Sequence, residues 1–338
     1  MSVARNRVGI CFLDRPDVDA QIRGARRAEE LGYESVWICE TRLARDAFTV
    51  LGAIAAHTNR IKLGTGIVNT WTRGPALMAM TFATLDEMAP GRTLMGLGAY
   101  WDPLAYNQGI IRRKPLSQMR EYVDVVRRLL ALERVTHEGD LVQVRDCELD
   151  LGTGRPRASV HCPIYIGATG PKMLEASGEY ADGVLLNANM SVEYTRRAVE
   201  SIRVGAERAG RSLADLDLPQ LISTSMDQSG DKAREHARKL ITMYLGQQPH
   251  VAEASGMPRD LLDRIHDELG GWPPQPGGLE RAMKLVDDET VTRYVVAGTP
   301  DECLELARKY VDAGASYAVP LVVSADTTDL IIETFAEI

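Results

Sequence analysis

A run of small residues, Gly167-Ala-Thr-Gly170, separates the apolar stretch Pro163-Ile-Tyr-Ile166 from a helical pattern that begins at Pro171. A strand that ends in small residues and opens into a helix presents peptide N–H groups and the positive end of a helix dipole, which suits a phosphate. Bulkier residues would hold the anion off the backbone. Glycine in such a loop also serves simply to turn the chain, so the loop by itself leaves both roles open. Other reactive side chains at strand ends are sparse. Glycoside hydrolysis needs two carboxylates across the mouth, and the candidates there are only Asp14, Glu40 and, further along, Asp102. Cys11 and Cys39 have no histidine nearby to activate a thiolate and read first as small buried residues.

The elements that must position these groups alternate along most of the chain. Apolar runs at 8–12, 35–39, 61–64, 93–97, 163–167, 183–186, 219–224 and 317–323 predict eight strands. Helical spacing predicts helices between them, for example over 17–31, where Ile22, Ala25, Ala28 and Leu31 share a face and Gly32 ends the run. Thr299-Pro-Asp-Glu302 is a capped helix start with proline in the first turn. Because the runs are continuously apolar, the strands are expected to be buried on both faces, as in a parallel sheet. The expected fold class is α/β, a (β/α)8 TIM barrel with insertion segments, forming one domain over 1–338. The segment 229–290, charged and helical and then rich in Gly and Pro, is expected as an insertion between the seventh strand and its helix. It serves there as an appendage, a lid or a contact between copies.

In a barrel of this kind chemistry collects where strands end. The predicted ends here are mostly small, neutral or aromatic: Gly64-Thr-Gly-Ile-Val-Asn69, Gly96-Leu-Gly-Ala-Tyr-Trp101, Gly167–Gly170 and Asn187-Ala-Asn189. Such a mouth suits a large flat ring with a phosphate at one end. Composition excludes other classes. The formal net charge is −8, which speaks against a nucleic-acid partner. No apolar run is long enough for a membrane span. Five scattered cysteines in no paired spacing, and no apolar leader, point to reduced thiols in the cytoplasm. The six histidines show no HExxH pattern, and no metal site is expected.

Together, Ile61-Lys-Leu-Gly-Thr-Gly-Ile-Val-Asn69, Pro90-Gly-Arg92 with Gly96-Leu-Gly98, Pro163–Leu174, Ala181-Asp-Gly183 and Gly298-Thr-Pro-Asp-Glu302 resemble the luciferase-like flavin and deazaflavin oxidoreductases. Within that superfamily the methylenetetrahydromethanopterin reductases are the subgroup the chain most resembles. The resemblance implies a homodimer or homotetramer with coenzyme F420, or alternatively FMN, at the barrel mouth. It also implies a bulge with a non-proline cis peptide at Gly66–Ile67. The phosphate is then expected on Gly167, Ala168, Thr169 and Gly170. Thr65, Gly66, Ile67, Asn69 and Gly98 are expected along the ring or its side chain, and Trp71, Tyr100 and Trp101 as walls of a substrate pocket.

The chain departs from the reductases at two places. Cys11 stands where they carry a glutamate thought to donate a proton to the pterin, and Glu40-Thr41 stands where they carry Asp-His. Glu40 is therefore the leading acid–base candidate and Cys11 the other, with an ion pair to Arg42 or Arg73 as the competing role for Glu40. The expected activity is hydride transfer between the deazaflavin C5 and a C=N, C=C or C–OH group of a small molecule. The alternatives are an FMN monooxygenase fed by a partner flavin reductase, and a flavin-free barrel that has lost the chemistry.

Overall fold

The computed structural model describes residues 7–13, 16–41, 43–152, 158–271 and 273–338. Asp14 and Arg42 therefore lie outside the described residues. Eight parallel strands close on themselves: β1 (Gly9–Phe12), β2 (Ser35–Ile38), β3 (Lys62–Thr65), β4 (Thr93–Gly98), β5 (Ile164–Ala168), β6 (Gly183–Leu186), β7 (Pro219–Met226) and β8 (Tyr317–Val322). Each pairs with the next, β8 pairs with β1, and β6 meets β7 through Leu186 opposite Gln220. The outer ring is α1 (Val18–Glu30), α2 (Ala47–His57), α3 (Pro75–Met88), α4 (Pro115–Leu130), α5 (Pro171–Tyr180), α6 (Val192–Arg208), α7 (Pro300–Asp312) and α8 (Thr328–Phe335).

The local chemistry explains where the helices start. Asp17, Asp46, Ser191 and Thr299 each accept a backbone N–H from the first turn of the helix they precede. Proline opens α3, α4, α5 and α7, where its missing N–H costs nothing. Strands β1, β2, β4, β6, β7 and β8 are buried along their whole length, which is why they read as unbroken apolar runs.

The barrel interior is filled rather than open. Trp37, Tyr165, Leu185, Leu221, Tyr317 and Val319 pack inside it, with Trp37 edge-on to Tyr165 at 5.2 Å. Gly64 makes room for that indole, because a methyl group there would stand 2.3 Å from the Trp37 ring. At the bottom, Arg7 bonds both Glu34 and Asp217, and the Tyr165 hydroxyl donates to Asp217 at 2.9 Å. With the core plugged and the base tied by these bonds, the barrel offers a ligand its top end.

Two regions hold more structure than their composition predicts. Residues 133–162, an irregular excursion in the sequence, contain an antiparallel hairpin of Val135–Glu138 with Gln143–Cys147. Between β7 and α7 lie five helices, Gly230–Gln247, Pro249–Ala254, Arg259–Leu269, Gly278–Met283 and Asp288–Tyr294, and a short strand, Val296–Gly298, that pairs with β7. These helices enclose an apolar cluster of their own, including Ile241, Leu245, Leu262, Ile265 and Tyr294. Most of them are short, and burial against one another stabilises them where propensity alone is marginal.

Candidate functional site

The mouth over β3, β4 and β5 is shaped by one irregularity. Gly64 pairs with Leu94 and Val68 pairs with Leu97, so four steps along one strand face three along the other. The extra residue makes a β-bulge at Gly66 and Ile67, and the Gly66–Ile67 peptide is cis. Ile67 is half-buried, and its side chain lies across the neighbouring strand ends. A methyl group added at Gly98 would stand 2.3 Å from Ile67 Cδ1, and one at Gly167 would stand 2.9 Å from Ile67 Cγ2. Those two glycines thus let Ile67 lie flat and form an apolar floor.

Thr65 anchors the bulge from below. It is fully buried, and its hydroxyl donates to the Gly96 carbonyl at 2.8 Å and accepts from the Gly96 N–H at 2.9 Å. The hydroxyl is therefore used within the sheet and is not presented to a ring. Asn69 caps its own loop, with its Oδ1 accepting the N–H groups of Trp71 and Thr72 at 2.9 Å each. The Trp71 indole donates to the Ala99 carbonyl at 3.1 Å, which ties this loop to the end of β4. Tyr100 has φ 63° and contacts the Gln108 amide, and Trp101 leads into a short helix, Asp102–Asn107. Arg112 secures the turn through the Ala99 and Tyr100 carbonyls at 2.9 and 2.7 Å and through Asp102 at 2.7 Å. Tyr100 and Trp101 are half-buried at the rim, where a wall residue belongs.

Glu40 follows β2 and faces a cavity of 530 Å3 together with Asn69, Thr72, Arg73, Tyr100 and Gln108. Its Oε1 is 2.8 Å from Arg73 Nη1, and both side chains are largely shielded, at 19% and 18% exposed. Arg73 also reaches Asp46 at 2.5 Å and lies over the Phe48 ring. Burial opposes the Arg73 charge, but the bonds to Glu40 and Asp46 outweigh it and raise its pKa. Glu40 is thus an ion-pair partner of Arg73 at the edge of this cavity.

Cys11 is placed where no ligand in the mouth touches it. It is fully buried beneath the bulge, its sulfur 3.4 Å from Cys39 Sγ, and burial pushes its thiol well above the ordinary range. A proton donor must meet its acceptor, so the structure removes Cys11 from that role. Cys39 is half-buried and donates its S–H to the Gly66 carbonyl at 2.7 Å.

Gly167, Ala168, Thr169 and Gly170 occupy the end of β5 and the entry to α5. Gly170 is exposed, and a methyl group there would meet nothing within 4 Å, so the N-terminus of α5 opens onto free space that an anion can fill. The loop is held from behind by the Tyr194 hydroxyl, which donates to the Thr169 carbonyl; burial pushes that hydroxyl up to about 12. After β6, Asn189 has φ 59°, and its Oδ1 is buried with no hydrogen-bond partner among the described residues. An open helix N-terminus near an apolar floor fits a ligand with an anionic tail and a flat body. Among the described residues, no group of three or more His, Cys, Asp or Glu side chains could hold a metal ion, and no helix is long and apolar enough to cross a membrane.

A profile of the family described as luciferase-like monooxygenase matches residues 4–317. The chain belongs to that family. Among its relatives, the 5,10-methylenetetrahydromethanopterin reductase of Archaeoglobus fulgidus is 33% identical over 300 residues, covering 86% of each protein. The F420-dependent glucose-6-phosphate dehydrogenase of Amycolatopsis mediterranei is 28% identical, covering 87% of this chain and 86% of its own. Among solved structures, the coenzyme F420 dependent tetrahydromethanopterin reductase of Methanopyrus kandleri superposes with a TM-score of 0.86 at 28% identity, over 99% of this chain and 98% of that one. The luciferase-like barrel is thus the fold, and the relatives are oxidoreductases.

Sequence reasoning pointed to the loop and the rim aromatics, and the resemblance to the cis peptide at Gly66–Ile67, which is present. It missed the Cys39 bond to Gly66, the cover of Ile67 over Gly98 and Gly167, and the Tyr194 brace behind Thr169. Glycine at both strand ends was a visible signal for the second of these; nothing local marked the other two.

Proposed function

We propose that the chain is an F420-dependent oxidoreductase acting on a small organic molecule with a C=N, C=C or C–OH group. The observation that carries this reading is the juxtaposition of a flat apolar floor, Ile67 over Gly98 and Gly167, with the open N-terminus of α5 at Gly170. The F420 in the names of relatives from two different enzyme classes supports the choice of cofactor. Bound F420 would supply hydride exchange at its C5.

The residues of the chain would do the rest. Ile67 offers an apolar support that excludes water from one face of the ring. The peptide N–H groups of the 167–170 loop take the phosphate. Trp71, Tyr100 and Trp101 form the wall against which the substrate is oriented, so that the two reacting carbons are held together. A second reading, an FMN-dependent monooxygenase supplied by a flavin reductase, draws on the family's own description.

Fluorescence titration separates the two. F420 binding without FMN binding supports the first reading; tight FMN binding with oxygen consumption supports the second and overturns the first. Gly170→Asp tests the site independently of folding, because the position has room for a side chain. It is expected to keep the fold and weaken F420 binding at least about tenfold by placing a carboxylate against the phosphate. Unchanged affinity would remove the loop from the site. Gly167 is a poorer probe, since any side chain there also displaces Ile67.

We also propose that the protein is a cytoplasmic homo-oligomer. On α3, Leu77, Met80 and Met88 are exposed apolar side chains, which a second copy of the chain would cover. Light scattering should give a dimer or tetramer that Met80→Lys dissociates, and a wild-type monomer would refute this.

A further inference from the structure

Cys11 and Cys39 form a pair that the proposed chemistry does not use. Cys11 lies within β1 and Cys39 just after β2, both in the cluster that fills the barrel; their sulfurs are 3.4 Å apart, and Cys39 holds the Gly66 carbonyl through its S–H at 2.7 Å. A methyl group at Gly66 would lie 3.7 Å from Cys11 Sγ, so both sulfurs sit directly under the bulge that carries Ile67. The two differ in access: Cys39 is half-buried, whereas Cys11 is closed off completely.

We propose that Cys39 is a positioning residue for the Ile67 floor, and that oxidation of the Cys11–Cys39 pair to a disulfide releases that floor and lowers cofactor affinity. Only the effect on affinity rests on the F420 reading. The oxidant is hydrogen peroxide. The accessible Cys39 sulfur attacks it, an S–O bond forms, the O–O bond breaks and one water leaves with the Cys39 proton. The Cys11 sulfur then attacks Cys39 Sγ. The S–S bond forms, the S–O bond breaks, and a second water carries away the Cys11 proton. Two sulfurs are oxidised and one peroxide is reduced. In the product Cys39 has no S–H, and the Gly66 carbonyl loses its donor.

The experiment titrates the reduced full-length protein with hydrogen peroxide and follows three readouts. These are peptide mapping for a Cys11–Cys39 crosslink, amide exchange of residues 62–72, and F420 affinity. Expected are the crosslink, faster exchange over that segment, and F420 binding weakened about tenfold, the size of one lost hydrogen bond, all reversed by dithiothreitol. Cys39→Ser keeps a donor and should bind F420 like the reduced wild type while ignoring peroxide. Cys39→Ala should bind more weakly without any oxidation.

Thiols that stay free under peroxide overturn the proposal, and so does a disulfide that leaves both exchange and affinity unchanged. A reduced wild type that binds no F420 counts against the functional reading instead, and the crosslink and exchange data still decide the role of the pair.

Discussion

Gly98→Ala is the sharpest test of how the floor is built. The added methyl group would stand 2.3 Å from Ile67 Cδ1 and 2.9 Å from Cγ1, more than 1 Å inside ordinary contact for the first of these. Isoleucine is stiff at χ1, so relief requires the whole side chain to swing away, and with it the support beneath the proposed ring. Overpacking of this kind costs about 1–3 kcal/mol. If the whole of it is felt in the complex, F420 binding weakens by about 5- to 150-fold. Urea unfolding gives the stability term and fluorescence quenching gives the affinity. The control is Ile67→Ala, which removes both clashing atoms. In that background Gly98→Ala should cost almost nothing, leaving a coupling of about 1–3 kcal/mol in the double-mutant cycle. If Gly98→Ala leaves stability and affinity intact, or is as damaging without Ile67 as with it, Ile67 does not rest on Gly98.

Gly96→Ala should be worse than Gly98→Ala. Its methyl group meets the Thr65 carbonyl at 1.9 Å, and backbone cannot rotate away, so little folded protein is expected in a solubility and circular-dichroism screen. Glu40→Gln should lower stability by about 1–2 kcal/mol, through the weakened bond to Arg73, and leave the pH profile of turnover in place; a lost limb of that profile would restore Glu40 as an acid or base. Acid stability should depend on Glu34: burial pushes its carboxyl up, but bonds from Arg7 and Lys62 outweigh this and hold it below the usual range. Its stabilisation is therefore complete above the ordinary carboxyl pKa of about 4 and is lost as pH falls through the depressed value. Glu34→Gln should flatten the acid limb of urea midpoints against pH.

Within the sequence, period and punctuation carried the architecture. Eight continuously apolar runs, most of them followed by a helical pattern, admit few folds other than a parallel barrel, because burial on both faces and helix amphipathicity are both properties of neighbours in the chain. The loop at 167–170 and the glycines at 66 and 98 were legible for the same reason, and the family resemblance located the bulge. What these residues do was decided elsewhere. Thr65 meets Gly96, Cys39 meets Cys11 and the Gly66 carbonyl, Glu40 meets Arg73, and Ile67 meets Gly98 and Gly167. Each of these contacts joins strands or loops about 30 to 100 residues apart, brought together by sheet register and barrel closure, and local composition does not encode them. Hence the chain reveals on its own where its mouth lies. Only the closed barrel turns a threonine into a staple, a glutamate into an ion-pair partner and two glycines into the bed for one isoleucine.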